Sequence, residues 1–457
     1  MASVAGAQDL ASATAILRTT NAVRERAHAL LERARRGESG WFTIDNAKLA
    51  DATRLTIERT HARYPSGAIP FHSRWRHFEA GGVDRLAELD RLLEGESLLR
   101  ERTRAKVDLV VVSVLLDAGA GADWSYAEAA SGQRFTRSEG LGVASFHAFT
   151  AGLFSSDPKR PLQADAAGLQ ALEVARLGQA FQVSHANPLV GLEGRAMLLR
   201  RLGAAMAEQP EVFGPNGRPG GLLDAVLARS AASPSPTEAT TPSASAEAAV
   251  VESAVRALQS APEVPAHDIF AAVMQSFSRI WPSANAIDNV APDGSVCVGS
   301  GDPAFALGDC WRHSAVRGPG LTDGWMPFHK LSQWLTYSLL EPFAWAGAKV
   351  VGLDALTGLP EYRNGGLFID TGVIRVKDPA LLDHTWKVSD EFIVEWRALT
   401  VALLDELAVR MRGEMQQPNL PLASILEGGT WAAGRELARR LRDGSPPLKI
   451  ESDGTVF

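Results

Sequence analysis

Cysteine is scarce in this chain, which has two, Cys297 and Cys310, among its 457 residues. Two thiols cannot build a disulfide framework, and such usage is typical of proteins in a reducing compartment. Zinc would find three ligands in Cys297, Cys310 and His313, without an evident fourth. We therefore expect a cytoplasmic protein without a structural disulfide or a metal site.

Positive charge and long apolar runs are also in short supply. The sequence has 46 Lys and Arg against 53 Asp and Glu, a formal net charge of -7, whereas proteins that bind nucleic acid generally carry a basic face. Apolar runs such as residues 109–116 are well short of the roughly 20 residues that span a bilayer. No basic stretch precedes an apolar core near the start. We expect a small-molecule ligand, no nucleic-acid partner, no signal peptide and no membrane segment, and the composition leaves the oligomeric state open.

Apolar residues recur mainly at helical spacing. Residues 20–37 carry a stripe of apolar or small side chains opposite arginines, and Gly37 then provides a helix stop. Residues 390–415 show the same spacing. Regular alternation is rare, and its best example is the stretch 365–376. The sequence predicts a mainly α fold with a small β-hairpin or sheet.

A compositional break lies near the middle of the chain. Residues 231–249 read AASPSPTEATTPSASAEAA and offer too little apolar surface to offset the entropy of ordering them. We therefore predict a disordered insertion between an N-terminal helical part, 1–230, and a C-terminal helical part, 250–457. The two parts are either domains joined by a linker or one integrated domain with a surface insertion.

The stretch LVVVSVLLDAGAGADWSY, residues 109–126, has two interpretations. A phosphoribosyl-diphosphate loop needs an apolar strand, two acids and a Thr-Gly turn, but here Asp117 is the single acid and no Thr follows. Glycine motifs of nucleotide-binding loops are also missing, and we expect no cofactor. The pattern favours a buried helix from about Arg102, ended by Gly119 and Gly121. Asp117 would then need a partner, which a substrate hydroxyl could provide.

Two further segments concentrate charge. In IPFHSRWRHFEAGGVDR, residues 69–85, we single out His72, Arg74 and Arg76 as groups that titrate or bind a phosphate or carboxylate. The alternative is a surface segment held by Arg–acid ion pairs. In RSEGLGVASFHAF, Arg137 and Glu139 precede a helix of small residues, which a substrate or, in the favoured interpretation, another helix approaches closely.

The last third of the chain places aromatic side chains among charged ones. Lys330, Gln333 and Trp334 share one face of a predicted helix. Aromatic walls with a few carboxylates suit a planar base or ureide together with a ribose. The alternative is an amphipathic core helix followed by a glycine turn. The other candidates of this region are Asp309, Trp311, His329, Glu361, Tyr362, Arg363 and Asp370.

Five segments together resemble the uracil catabolism family of fungi and bacteria, whose members are sometimes labelled uracil phosphoribosyltransferase. They are PFHSRWRHFEAGGVDR, DLVVVSVLLDAGAGADWSY, RSEGLGVASF, FHKLSQWLTYSLLEP and LTGLPEYRNGGLFIDTGV. The resemblance runs from about Thr19 to Asp453, apart from the insertion. It implies a place in a pyrimidine breakdown in which the opened ring leaves a ribosylurea that must be cleaved to urea and a sugar. The transferase label has no matching phosphoribosyl-diphosphate loop in this chain.

A second resemblance concerns the C-terminal part. The chain has FHKLSQW followed by LTGLPEYRNGG, which is similar to the Y-K-x-A-Q and L-T-x-F-A-D-Y-R segments of queuosine-nucleotide salvage glycosidases. Those enzymes look related to helix-hairpin-helix DNA glycosylases. The resemblance implies a glycosylase-like helical body, with the lysine at Lys330 and the catalytic acid at Glu361, where Glu replaces Asp. Both resemblances imply cleavage of a bond between C1′ of ribose and a nitrogen.

We therefore expect an N-ribosyl hydrolase that cleaves ribosylurea or its 5′-phosphate. Uracil phosphoribosyltransferase and a non-catalytic ligand-binding subunit of the same pathway are the alternatives. Because C1′ becomes oxocarbenium-like as the nitrogen departs, Glu361 would stabilise the charge and activate water, while Lys330 would polarise the leaving urea. The remaining expected roles are ribose hydroxyl binding by Asp117 and Asp370, and 5′-phosphate binding by Arg74 or Arg76.

Overall fold

The computed structural model describes residues 4–96, 98–232, 261–281, 287, 289–290, 296–297 and 305–451. Most of them are helical, so the predicted mainly α fold is confirmed. The first helices are α1 (Val4–Leu17), α2 (Thr20–Arg35), α3 (Leu49–Arg63), α4 (Arg74–Phe78), α5 (Arg85–Leu92), α6 (Leu99–Leu115), α7 (Arg137–Thr150), α8 (Ala166–Gln170), α9 (Val174–Ala180), α10 (Leu192–Ala207), α11 (Pro210–Phe213) and α12 (Gly221–Ala232). They are followed by α13 (Ala266–Phe277), α14 (Lys330–Trp345), α15 (Tyr362–Asp370), α16 (Glu391–Glu414), α17 (Leu422–Ile425) and α18 (Trp431–Arg442).

The strands are short, and within the described residues they form two-stranded sheets. They are β1 (Phe42–Ile44), β2 (Ser125–Ala127), β3 (Arg134–Thr136), β4 (Glu263–Pro265), β5 (Asn289–Val290), β6 (Val296–Cys297), β7 (Cys310–Arg312), β8 (Trp325–Pro327), β9 (Lys349–Val351), β10 (Ile374–Val376), β11 (Thr385–Lys387) and β12 (Lys449–Glu451). The pairs β1–β10, β2–β3, β5–β6 and β7–β8 are antiparallel, whereas β4–β9 and β11–β12 are parallel. In the last pair Trp386 lies opposite Ile450.

The buried helix predicted around residues 102–116 is confirmed as α6. Its second half is buried on all sides, which explains why the sequence there lacks a polar face. The one acid within it, Asp108, is fully buried and accepts hydrogen bonds from Nε of Arg218 at 2.9 Å and from the Gly220 N–H at 2.7 Å. This pairing lets a carboxylate lie inside the core.

The strand prediction for residues 365–376 is wrong over most of its length. Tyr362–Asp370 is the helix α15, and only Ile374–Val376 is a strand. The side chain of Glu361 accepts hydrogen bonds from the first free N–H groups and so begins the helix. Gly365 then allows the Trp396 ring to approach closely, since a Cβ atom there would lie 2.5 Å from Cζ2 of that ring.

Helices from both predicted parts of the chain pack together. The helix α2 packs on α16, α6 packs on α14, and one hydrophobic core includes residues from both parts. Ion pairs join Arg24 to Asp405 at 2.8 Å and Arg35 to Glu406 at 2.7 Å. The predicted insertion, apart from its first two residues at the end of α12, lies outside the described residues.

Candidate functional site

A cavity of about 460 Å³ lies where several helices begin. Its walls come from the segment after α6, from the first residues of α7, α14, α15 and α18, and from the segment around β12. Small-molecule sites are typically of this size, with apolar walls and a few polar groups. The lining includes ten side chains with charged, imidazole or large aromatic groups: His72, His77, Asp117, Arg137, Lys330, Trp334, Glu361, Tyr362, Arg363 and Trp431.

Asp117 stands just after the end of α6 and is held there by Arg74. The fully buried Arg74 donates from Nη1 to Oδ1 of Asp117 at 2.9 Å and from Nε to the Ser113 hydroxyl at 2.6 Å. Oδ2 of Asp117 has no hydrogen-bond partner in the described part of the chain. The carboxylate is therefore fixed from behind, with one oxygen left for a ligand.

The glycine-rich segment after Asp117 is held by Arg195 of α10. This fully buried side chain donates hydrogen bonds to the backbone carbonyls of Leu116, Ala118 and Gly119. Burial lowers the pKa of Arg195 to about 10, although the charge of Asp117 acts to raise it. One wall of the cavity is thus positioned by two buried arginines.

Lys330 is the first residue of α14 and lies within electrostatic range of two carboxylates. Burial lowers the pKa of its ammonium group, while the charges of Asp117 and Glu361 act to raise it. Its backbone N–H donates to Oδ2 of Asp309 at 3.0 Å, which fixes the start of the helix. The amine of Lys330 is therefore close enough to both acids of the cavity to interact with their charges.

Asp309 serves this helix start and not the cavity. Arg397 donates to it from Nη1 and Nη2, both at 2.7 Å, and Trp311 donates from its indole N–H at 2.7 Å. Burial raises the pKa of Asp309, but the charge and hydrogen bonds of Arg397 outweigh burial, so the pKa is lowered. A carboxylate with this many donors is already satisfied inside the protein.

Glu361 is the N-cap of α15. Its Oε1 accepts from the Asn364 N–H at 2.6 Å and its Oε2 accepts from the Arg363 N–H at 2.9 Å. An acid at this position also interacts favourably with the positive end of the helix. Each oxygen keeps one lone pair, so Glu361 can still accept a proton or face a developing cation.

Two histidines and two tryptophans form an aromatic wall. The His77 ring lies 5.6 Å from Trp334 and 6.3 Å from Trp431 between ring centroids, and His72 lies 6.4 and 6.0 Å from the same rings. Burial and the nearby charge of Arg74 lower the pKa of His77 well below 6.5. His77 is therefore neutral at pH 7, and because Arg74 can only donate at their 3.4 Å contact, Nδ1 of His77 is the acceptor and Nε2 carries the proton.

His72 is oriented by an acid from a π-helical turn, Leu426–Thr430, that joins α17 to α18. Its Nδ1 lies 2.8 Å from Oε2 of Glu427. Burial raises the pKa of Glu427, but the hydrogen bond from His72 and the charge of Arg63 outweigh burial and lower it. The ionised carboxylate accepts from Nδ1, which fixes the orientation of the His72 ring.

The guanidinium group of Arg363 lies over aromatic rings. Its Cζ atom is 4.1 Å from the centroid of Trp431 and 5.1 Å from that of Tyr362. Although Arg363 is only 4% exposed, its Nη2 has no hydrogen-bond partner among the described residues. Arg137, at the start of α7, has a left-handed φ of 54° and donates to the Gly444 carbonyl at 2.9 Å.

Seven of the predicted site residues are brought together at this cavity: His72, Asp117, Lys330, Trp334, Glu361, Tyr362 and Arg363. Two others, Arg76 and Glu139, line a neighbouring cavity of about 380 Å³. Arg76 pairs there with Glu341 at 2.7 Å, and Glu139 pairs with Arg435. The two cavities share His72, His77 and Trp431.

Six predicted residues do not line either cavity, and their assignment to ligand binding is withdrawn. Arg74, Asp309 and Trp311 are occupied by the partners described above. His329 donates to the Leu17 carbonyl at 2.8 Å, and Gln333 is fully buried, with Oε1 facing the Thr357 N–H at 3.4 Å.

Asp370, the third predicted catalytic residue, lies outside the cavity lining. Its side chain is 3% exposed and accepts from Nη2 of Arg442 at 2.6 Å. Arg442 ends α18, directly before the segment 444–450 that forms part of the wall. Asp370 therefore supports the wall and does not face a ligand.

Sequence reasoning missed Trp431 and the segment 444–450. Trp431 follows a Gly-Gly pair in the π-helical turn, where Gly429 allows close contact with Thr56, but this packing has no distinctive sequence pattern. His77 and Arg137 lie in the segments 69–85 and 137–149, where the concentration of His and Arg residues was the available signal. The turn residues of the segment 444–450 gave no indication of a site.

Two absences concern the described ranges alone. No group of three or more His, Cys, Asp or Glu side chains there could hold a metal ion. No helix in the described part of the chain has both the length and the apolar character needed to cross a bilayer.

Known proteins are similar to almost the whole chain. Residues 16–457 match a family profile described as "Protein of unknown function (DUF1688)". Protein urg3 of Schizosaccharomyces pombe is 36% identical over 445 residues, which are 95% of this chain and 96% of the relative. Uracil catabolism protein 4 of Lachancea kluyveri is 35% identical over 449 residues, 92% of this chain and 93% of the relative.

Proposed function

The chain belongs to the DUF1688 family, and we propose that it acts in uracil catabolism as an N-ribosyl hydrolase that cleaves ribosylurea or its 5′-phosphate. The name of the Lachancea kluyveri relative supports the pathway. The observation that carries the reaction is the grouping of Asp117, Lys330 and Glu361 in one aromatic-walled cavity. The volume of about 460 Å³ suits a sugar and a ureide.

The proposed reaction breaks the bond between C1′ and nitrogen. The bonding electron pair leaves with the urea nitrogen, and C1′ acquires positive charge that the fixed carboxylate of Glu361 stabilises. Water adds to C1′ and gives a proton to Glu361, while Lys330 polarises the departing urea. The urea nitrogen takes up a proton from solvent, and Glu361 then releases its proton to solvent, so that no net proton is gained or lost. The products are urea and the sugar.

Other lining residues would bind the substrate. Oδ2 of Asp117 would accept a hydrogen bond from a ribose hydroxyl. Asp370, the other residue expected in this role, is paired with Arg442 and would not take part. Trp334 would provide a flat apolar surface, and the N–H at Nε2 of His77 would donate to the ureide oxygen.

Replacement of Glu361 by Gln tests this assignment. We expect release of urea from ribosylurea to fall by about 10² or more, because a neutral amide neither stabilises the cationic centre nor accepts a proton. The Glu361→Gln chain should stay folded, with a loss of about 1 kcal/mol from the weakened helix cap. Urea and sugar are measured with purified protein.

The variant Asp84→Asn is the matched control. Asp84 caps α5 by accepting from the Ala87 N–H at 2.9 Å, and it does not line the cavity. It should lose similar stability and keep full turnover. Wild-type turnover in Glu361→Gln would reject the assignment.

The two alternative functions give different results in the same assay. A phosphoribosyltransferase would need diphosphate and a divalent metal ion to turn over. A ligand-binding subunit would bind ribosylurea and release no urea over hours. Either result in the wild-type chain would replace the hydrolase proposal.

A further inference from the structure

Arg363 is a buried cation at the cavity that lacks a partner for one of its terminal nitrogens. At the other fully buried arginines around the cavity, both terminal nitrogens have acceptors: those of Arg74 in Asp117 and the Ser113 carbonyl, those of Arg195 in backbone carbonyls, and those of Arg397 in Asp309. Nη2 of Arg363, in contrast, has no acceptor among the described residues, although Arg363 is only 4% exposed to solvent. A buried donor of this kind is costly, and native proteins usually satisfy it.

Contact with the tryptophan ring does not satisfy this donor. With Cζ 4.1 Å from the centroid of Trp431, the guanidinium gains a cation–π interaction. The N–H groups, however, lie in the guanidinium plane and still require acceptors, ideally two oxygens of one anion. The indole N–H of Trp334, which lines the same cavity, is a second buried donor without an acceptor in the described part of the chain.

The surroundings of Arg363 favour an anion. Arg137, Lys330 and Arg363 line the cavity against two carboxylates, Asp117 and Glu361, and the first of these acids is already paired with a buried arginine. The helix α7 also begins at the cavity, without a side-chain cap, and the N-terminal end of a helix carries partial positive charge. An excess of positive charge suits a doubly charged anion better than a neutral sugar.

We infer that the substrate carries a phosphomonoester on its sugar and that Arg363 binds it. This inference rests on the proposed function and decides between the two forms of its substrate. It moves the phosphate contact away from Arg74 and Arg76, whose guanidinium groups are engaged by Asp117 and Glu341.

The first test compares ribosylurea with its 5′-phosphate as substrates. We expect the wild-type chain to prefer the phosphorylated form by about 10- to 100-fold in kcat/KM, the range for a hydrogen bond to a charged group. Arg363→Gln should lose this preference, because kcat/KM falls for the phosphorylated form. Arg363→Lys should retain part of it, because a lysine keeps the charge and loses the planar pair of donors.

Arg435→Gln is the matched control. Arg435 also lies over Trp431, with Cζ 5.3 Å from the ring centroid, but it pairs with Glu139 and faces the neighbouring cavity. This variant should keep the preference for the phosphorylated substrate. Equal loss in both variants would show that the ring contact and not the anion is responsible, and would overturn the inference.

A binding measurement separates this inference from the proposed function. By calorimetry we expect ribose 5-phosphate and inorganic phosphate, but not ribose, to bind the wild-type chain and to bind Arg363→Gln at least 10-fold more weakly. If urea is released equally well from both substrates and phosphate does not bind, the inference fails and the hydrolase remains. If no urea is released but Arg363 is needed for ribose 5-phosphate binding, the hydrolase fails and the anion site remains.

Discussion

For single residues, the position of a carboxylate together with its hydrogen-bond partners separates acids that hold the fold from acids that face a ligand. Asp309 is satisfied by Arg397, Trp311 and the start of α14, whereas Asp117 has a recorded hydrogen bond at Oδ1 alone among the described residues. The sequence cannot distinguish the two, because the Arg397 that satisfies Asp309 is 88 residues away. Asp309 and Asp370 are therefore predicted at the site from the sequence, but each is paired with a distant arginine and lies behind the cavity wall.

Glu128 shows how such a satisfied acid affects stability. Burial raises its pKa, but hydrogen bonds from Arg85, Ser131 and His147 outweigh burial and lower the pKa from 4.5 to about 2. The folded state therefore binds a proton more weakly than the unfolded chain. The resulting stabilisation is complete above pH 4.5 and is lost as the pH falls toward 2.

We predict that Glu128→Gln lowers the free energy of unfolding by about 3 kcal/mol at pH 7, because it leaves the fully buried Arg85 without its counter-charge. The difference in free energy of unfolding between wild type and variant should shrink below pH 4.5, because the wild-type carboxylate then no longer stabilises the folded state. Urea denaturation between pH 7 and pH 3 measures it. Asp51→Asn, at an exposed ion pair, is the control and should change stability by less than about 1 kcal/mol. A gap as large at pH 3 as at pH 7 would contradict the prediction.

Among the helices, the crossing of α15 and α18 positions the candidate site. Gly434 of α18 lies so close to α15 that an added Cβ atom would be 2.1 Å from the carbonyl oxygen of Arg363. Both Glu361 and Arg363 are at the start of α15, and Trp431 is at the start of α18. The distance between these two helices therefore sets the relative positions of the acid, the arginine and the ring.

We predict that Gly434→Ala costs about 1–3 kcal/mol of stability, because a methyl group must push the two backbones apart. Ligand binding should weaken at the same time, since Arg363 moves away from Trp431. Gly413→Ala is the matched control: this helical glycine has nothing within 4 Å of an added Cβ, so it should gain up to about 1 kcal/mol. Thermal unfolding and calorimetry with ribose 5-phosphate measure both effects. Unchanged binding in a destabilised Gly434→Ala chain would refute the link between the crossing and the site.

The helices could be predicted better than the residues between them. The periodic stretches that became α2, α6 and α16 were identified because a buried stripe or an all-apolar run leaves a clear pattern. The stretch 365–376 was misassigned because its alternating residues also fit a short amphipathic helix, and the deciding feature was a single capping side chain at Glu361. Local caps and glycine contacts depend on geometry that periodicity does not encode.

In the whole molecule, the two predicted parts of the chain contribute to one core and one cavity. His72 and Asp117 come from the first part, and Lys330, Glu361 and Trp431 come from the second. The candidate site is therefore built from both sides of the predicted insertion at residues 231–249 and does not belong to one part alone. The shared core also bears on whether either part can fold without the other.

We predict that residues 1–230 and 250–457 do not fold when expressed separately, because each would expose the apolar faces that α2 and α16, or α6 and α14, bury against each other. Co-expression should restore a folded complex, measured by soluble yield and a cooperative thermal transition. Deletion of 235–249 from the full chain is the control, since its composition predicts no contribution to a core. A sharp unfolding transition of the isolated first part would contradict this prediction.

The chemistry of the site could be predicted in part. The resemblances and the residue types led to Glu361, Lys330 and Asp117, which the structure brings to one cavity. Neither the segment 444–450 nor the missing partner of Arg363 could be predicted, because both depend on how distant elements pack around the same cavity. Whether a buried polar side chain has hydrogen-bond partners can be judged only from the three-dimensional structure.

The position of Ile450 in the wall of the cavity affects how the protein is made. A growing chain on the ribosome has no closed pocket until β12 has been synthesised and the β11–β12 pairing forms. A nonsense mutation upstream of β12 would thus yield a product without a complete pocket, however much of the helical core it retained. Partial activity is not expected from any such shortened product.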